Sequence, residues 1–190
     1  MGDAAEDRAK AAELPEGDVV RVLLEQHGRI RELFADVNGA DGEHKRHAFD
    51  ELRALLAVHE TAEEMVLRPV TKKADGASVA EARNNEEAEA NVVLQELEKM
   101  DVAGPDFDAK LASFRKSVDE HAESEERDEF PLILSSCGEE ERQKLGKQML
   151  RTESIAPTHP HPSAAGKPAV QYTVGPFASL IDRAKDALKG

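Results

Sequence analysis

The sequence predicts an all-α fold: an up-down-up-down four-helix bundle with a short fifth helix and, after a Pro-rich strap, a C-terminal amphipathic helix. Three observations point there. The composition is dominated by Ala, Glu, Leu, Lys and Arg, with 4% aromatics and no Trp, and favours helices over strands. Apolar residues recur at alternating spacings of three and four, the mark of one helix face. Short clusters of Gly, Asn, Asp and Pro interrupt this pattern, so successive helices run antiparallel.

Residues 1–15 carry no apolar stripe and are read as disordered, and Pro15, Gly17 and Asp18 mark a helix start. The first helix, 18–38, has Val20, Leu23, His27, Ile30, Phe34 and Val37 in one seam. The second, 43–73, carries Phe49, Leu52, Leu56, His59, Glu63, Val66 and Val70, with Pro69 expected to kink or end it. The third, 79–100, aligns Arg83, Glu87, Ala90, Leu94 and Leu97. The fourth, 107–135, aligns Phe107, Leu111, Phe114, Val118, His121, Glu125, Asp128 and Leu132. The bundle thus occupies 16–136 and a short helix 137–153. The Pro-rich strap takes 154–175, and Phe177, Leu180, Ile181, Ala184 and Leu188 give 176–190 an amphipathic helix.

With 25 basic and 39 acidic side chains, the net charge is −14, which disfavours nucleic acid and anionic membrane as partners. No run is long and apolar enough to span a membrane. The N-terminus lacks the apolar region of a signal peptide and the Ser or Thr of a myristoylation site. One cysteine, Cys137, excludes an internal disulfide. These features lead to the expectation of a cytoplasmic protein.

A bundle seam should be apolar, yet His27, His59, Glu63, Glu87, His121 and Glu125 all fall on seams. Burying that many ionisable groups without compensation costs several kcal/mol for each charge, and bound cations supply it most simply. An internal repeat supports this. His59 to Pro69 and His121 to Pro131 both read H-x-x-x-E-E-x-x-x-x-P. Positions i and i+4 lie one turn apart on one face, so each His/Glu pair can reach one metal. His27 precedes His59 by 32 residues and Glu87 precedes His121 by 34, so each half is a helical hairpin giving one single ligand and one pair. Six ligands then converge on two metals, with Glu63 and Glu125 free to bridge. Mixed imidazole and carboxylate donors suit iron or manganese, with zinc a substitute. Ferritin-like proteins use Glu-x-x-His instead, with order and spacing reversed.

The segments Leu23 to His27, His59 to Glu64 and His121 to Pro131 resemble those of the hemerythrin-like (HHE cation-binding) domain, most in its actinobacterial style. The resemblance covers about residues 18–135. It implies a four-helix bundle with a non-haem di-iron centre, oxo- or hydroxo-bridged, binding O₂, peroxide or NO. His27, His59 and His121 would be terminal ligands, Glu63 and Glu125 bridges, and Glu87 the last ligand of the second iron. Oxygen-carrying hemerythrins have five histidines, two of them on the third helix. Here that helix has none, and phase with Leu94 and Leu97 selects Glu87, with Glu86 the alternative. More carboxylate stabilises ferric iron, so sensing, oxidative-stress defence or iron handling is expected rather than O₂ transport. The alternative is a di-iron oxidoreductase turning over peroxide or NO. The sequence decides neither turnover nor a protein partner.

Leu23, Ile30, Leu56, Val66, Leu94 and Val118 are expected to wall the site, with Met65, Leu67 and Leu132 drying it. Glu60 and Glu64 read as surface charge. Arg83 and Asp128 can meet as a buried pair at one end of the seam. His44 and His47 read as solvated, His159 and His161 as loose metal binders at most, and Tyr172 in the strap as a gate only if the strap covers the bundle.

Overall fold

A computed structural model describes residues 2–161, which are all helical apart from their connections. Helix α1 spans Ala4–Ala12, α2 Val19–Gly39 and α3 Gly42–Ala62. A π-helical turn, Glu63–Leu67, leads from α3 into α4, Arg68–Lys73. Helices α5, Ala77–Glu98, and α6, Pro105–Ser124, follow. A second π turn, Glu125–Glu129, joins α6 to α7, Phe130–Ser136, and α8 is Glu139–Glu153. The four long segments α2, α3–α4, α5 and α6–α7 form the bundle. Its apolar contacts separate into two clusters. One holds Phe34, Phe49, Leu52, Leu94, Phe107 and Phe114; the other holds Val20, Leu23, Leu67, Phe130, Ile133 and Met149. The polar centre lies between them. The C-terminal helix proposed for 176–190, the rest of the strap and Tyr172 lie outside the described residues.

The reading of residues 1–15 as disordered is corrected by α1. Asp3 caps it by accepting from the Ala5 backbone N–H at 2.9 Å. Its inner face has little apolar area, which is why no stripe showed. It is held instead by Asp7, 1% exposed and ion-paired with Arg31 of α2, and by buried Ala11. Helix α8 packs Leu145 and Met149 beside α2 and α3, and Arg142 reaches Asp18, the cap of α2, at 2.7 Å. At Gly146 the backbones touch: a Cβ there would sit 2.1 Å from the Gly17 carbonyl oxygen.

The two π turns correct the seam register. Pro69 and Pro131 have no N–H to donate, and each ring would clash with the carbonyl one turn back. Widening the turn relieves this: Arg68 N–H bonds to the Glu63 carbonyl and Phe130 N–H to that of Glu125, five residues back. Each turn inserts one residue, so the inward face slips by one. Leu67 and Thr71 become the fully buried positions, while Val66 stays buried at 9% exposure and Val70 is half-buried; Glu129 and Ile133 are fully buried where Asp128 and Leu132 were expected.

Candidate metal centre

Four segments deliver the expected six side chains to one place. Helix α2 presents His27 and α5 presents Glu87. Helices α3 and α6 present His59 and His121 one turn before their π turns, which open at Glu63 and Glu125. Ligand atoms of His27, His59, Glu63 and Glu125 lie within 4.8 Å of one another, and so do those of Glu63, Glu87, His121 and Glu125. The two groups share Glu63 and Glu125. Glu87, not Glu86, belongs to the centre.

The donor atoms suit cations. His27 Nε2, His121 Nε2, Glu63 Oε1, Glu87 Oε2 and Glu125 Oε2 are buried without a hydrogen-bond partner, although such atoms are normally satisfied. His27 Nε2 lies 3.2 Å from Glu125 Oε2, and His121 Nε2 3.3 Å from Glu125 Oε1. Two imidazoles and three carboxylates thus turn a buried atom inward without a hydrogen-bond partner, and neutral imidazole with ionised carboxylate is the donor set that a divalent metal takes.

Hydrogen bonds from outside aim the imidazoles with a two-fold pattern. His59 Nδ1 meets Gln26 Oε1 and His121 Nδ1 meets Glu86 Oε2, both at 2.8 Å. Gln26 and Glu86 each immediately precede the single inward residue of their own helix. Gln26 is held in turn by Glu153 of α8 at 2.8 Å. His27 Nδ1 faces Glu126 at 3.3 Å, and Glu126 is braced by Lys10 of α1 at 2.8 Å. Such partners set tautomer and ring orientation.

The electrostatics are those of crowded carboxylates. Burial, with Glu125 adding to it, pushes Glu63 well above the ordinary carboxylate value despite Arg68. Burial pushes Glu87 up to about 7, against the pull of Arg68 and His121. Burial also acts on Glu125, but His121 and Arg68 outweigh it and hold this carboxyl well below its ordinary value. Burial pulls His59 down to about 3. His27 and His121 are raised in spite of burial by the carboxylates around them.

Sequence reasoning missed Arg68 and Glu129. Both are fully enclosed, at 1% and 0% exposure. Arg68 donates to Glu87, Glu129, Glu125 at 2.5 Å and Glu63 at 3.4 Å, and Glu129 also accepts from Thr71 Oγ1. The signal was the E-x₅-P spacing, which marks the π turn and moves these residues inward. The pair expected between Arg83 and Asp128 is replaced for the same reason. Arg83 bonds Glu86 at 2.7 Å, and Asp128 bonds Arg127 at 2.7 Å. Glu60 and Glu64, expected at the surface, are buried, with Asn91 donating to Glu60 at 2.6 Å. His44 and His47 are exposed as expected. His159 packs against Glu98, and with Pro157 and His161 it borders a small cleft beside Glu60 and Glu64.

A cavity of about 490 Å³ reaches the centre at His27, His59, Glu87 and His121. Ile30, Leu56 and Val118 wall it as expected, joined by Phe114 and Val93, whereas Leu23, Val66, Leu94, Met65, Leu67 and Leu132 do not line it. Exposed Glu89 of α5 and Ser113, Ser117 and Glu120 of α6 form its mouth.

Residues 18–133 match the hemerythrin HHE cation-binding domain. The chain belongs to the hemerythrin HHE family. An uncharacterized hemerythrin-like protein of Schizosaccharomyces pombe is 30% identical over 137 residues, covering 70% of this chain and 68% of that one. A DNA nickase of Nostoc is 21% identical over 155 residues, covering 81% of this chain and 43% of its own length. No solved structure matches the chain. The HHE match contains all six inward-facing His and Glu residues and leaves out α1 and α8. Among the described residues no helix is long and apolar enough to cross a membrane.

Proposed function

We propose that this hemerythrin-like domain holds two iron ions and binds O₂, peroxide or NO in sensing, oxidative-stress defence or iron handling, in the cytoplasm. The observation that carries the reading is the pair of four-residue groups sharing Glu63 and Glu125, with unpartnered buried donor atoms between them. His27 and His59 hold one iron, Glu87 and His121 the other, and Glu63 and Glu125 serve both. Manganese or zinc would fit the same donors. Bound iron supplies the redox-active positions at which such small molecules coordinate. Gln26, Glu86 and Glu126 fix the imidazoles, and Ile30, Leu56, Phe114 and Val118 limit water at the approach.

A second reading, turnover of peroxide or NO, is favoured by the size of the cavity. Liquid water takes about 30 Å³ per molecule, so 490 Å³ leaves room for more than one small reactant. The DNA nickase likeness is not extended to this chain, whose −14 charge opposes a phosphate backbone.

The test is anaerobic loading with Fe(II), then visible spectra on adding O₂, peroxide, NO or azide. Charge-transfer bands that shift with each ligand support binding. Sustained dismutation of peroxide without added reductant supports turnover. No iron-dependent spectrum in the wild type, or an unchanged one in His59→Ala, overturns the reading.

A further inference from the structure

The two halves of the centre differ in the residue before each motif proline. In the second motif it is Phe130, whose ring stacks on His27 with centroids 5.7 Å apart. In the first it is Arg68, bonded to Glu87, the counterpart of His27. One half is closed by an apolar ring and the other by a buried cation.

That cation bears unequally on the two groups. Arg68 Nη2 donates to Glu63, Glu87 and Glu125, which are three of the four members of the His121 group. The His27/His59 group shares only Glu63 and Glu125 with it, and Glu125 turns its other oxygen, Oε2, toward His27. The second amino group, Nη1, donates to Glu129, itself fixed by Thr71. Glu129 belongs to neither group, so the guanidinium has a carboxylate to rest on away from the metal ligands.

We propose that Arg68 is a resident counter-cation that competes with one of the two metals. It makes the position built on Glu87 and His121 the weaker and the second to fill, as the guanidinium withdraws onto Glu129. The inference rests on the two-metal reading of the centre. A fixed positive charge within hydrogen-bond distance of three ligand carboxylates opposes a cation there. Without metal, the same charge keeps those carboxylates from repelling one another. Arg68 therefore acts with opposite sign on second-metal affinity and on metal-free stability.

The experiment is titration of the full chain with Mn(II), which avoids redox change, against a competing chelator, together with melting curves of the metal-free protein. It is run on wild type, Arg68→Gln and Glu129→Gln. Wild type is expected to bind in two steps at least about tenfold apart. Arg68→Gln is expected to tighten the second step about tenfold to a hundredfold, the range of partners that tune metal ligands, and to leave the first step in place. Its metal-free melting temperature should fall. Glu129→Gln should weaken the second step, because the guanidinium loses its resting place, and it keeps the test open if Arg68→Gln fails to fold. Two equal steps in wild type, a second step unchanged or weaker in Arg68→Gln, or a second step unweakened in Glu129→Gln, overturn the inference and leave the two-metal reading standing. Uptake of no metal by wild type overturns both.

Discussion

Glu125→Gln is the substitution that separates a shared ligand from a neighbouring one. The amide nearly matches the carboxylate in shape, so packing is preserved, but the charge that faces His27, His121 and Arg68 is removed. A ligand that binds only the folded state stabilises it by about 2.7 kcal/mol at a free concentration 100 times Kd, so two metals give about 5 kcal/mol. For a chain of 190 residues each kcal/mol moves the melting temperature by about 2–4 °C, so loading should raise it by about 10–20 °C in wild type. Glu125 belongs to both groups, and its loss should abolish nearly all of that increment. Glu87 belongs to one, so Glu87→Gln should keep about half. The metal-free Glu125→Gln protein should itself melt lower, because removing one partner of a buried ion pair costs about 3–5 kcal/mol. The assay is calorimetry with and without metal, paired with metal counts on the same samples. A Glu125→Gln variant that retains two metals and the full increment would refute the shared-ligand reasoning.

Three further outcomes are expected. Gln26→Leu leaves His59 Nδ1 without its acceptor and should weaken metal binding about tenfold to a hundredfold without unfolding the bundle, read by chelator competition. Metal binding should tighten as pH rises. Glu87, raised to about 7, and Glu63, His27 and His121, all raised, must give up protons to become ligands. Calorimetry in buffers of different ionisation enthalpy should therefore detect proton release on loading. The same raised groups stabilise the metal-free fold in their protonated forms, so its melting temperature should fall as pH rises through about 7, while the loaded protein is spared. Ala90→Phe should narrow the cavity between α5 and α6, slowing azide binding in stopped flow while metal content stays unchanged.

Much of the fold was legible because burial here follows helical phase. The α2 seam from Val20 to Val37 is buried at every expected position, and the six inward His and Glu residues stand out as polar side chains on apolar stripes. Legibility ended at the π turns. Phase counting assumes a constant pitch, so beyond Glu63 and Glu125 it selected Asp128 where one inserted residue brings in Glu129. Arg68 was hidden for the same reason, although Pro69 and Pro131 at matching distances carried the signal. Glu60 and Glu64 looked like surface charge because an acidic run on a helix is usually solvated; their burial depends on Asn91 of α5 and on the chain around His159, contacts that phase does not encode. Helix α1 was missed because ion pairing to Arg31, rather than an apolar face, holds it down. The outer acceptor Gln26 carried no mark of its own, and its symmetry with Glu86 emerges only once both helices are docked.

The central claim is that one bundle centre holds two metals through shared carboxylates. Anomalous diffraction at the iron edge from crystals of the Fe(II)-loaded protein tests it most directly. The expected result is two peaks flanked by Glu63 and Glu125, one beside His27 and His59 and the other beside Glu87 and His121. A single peak outside this cluster, or none in crystals of protein exposed to excess iron, would contradict the account.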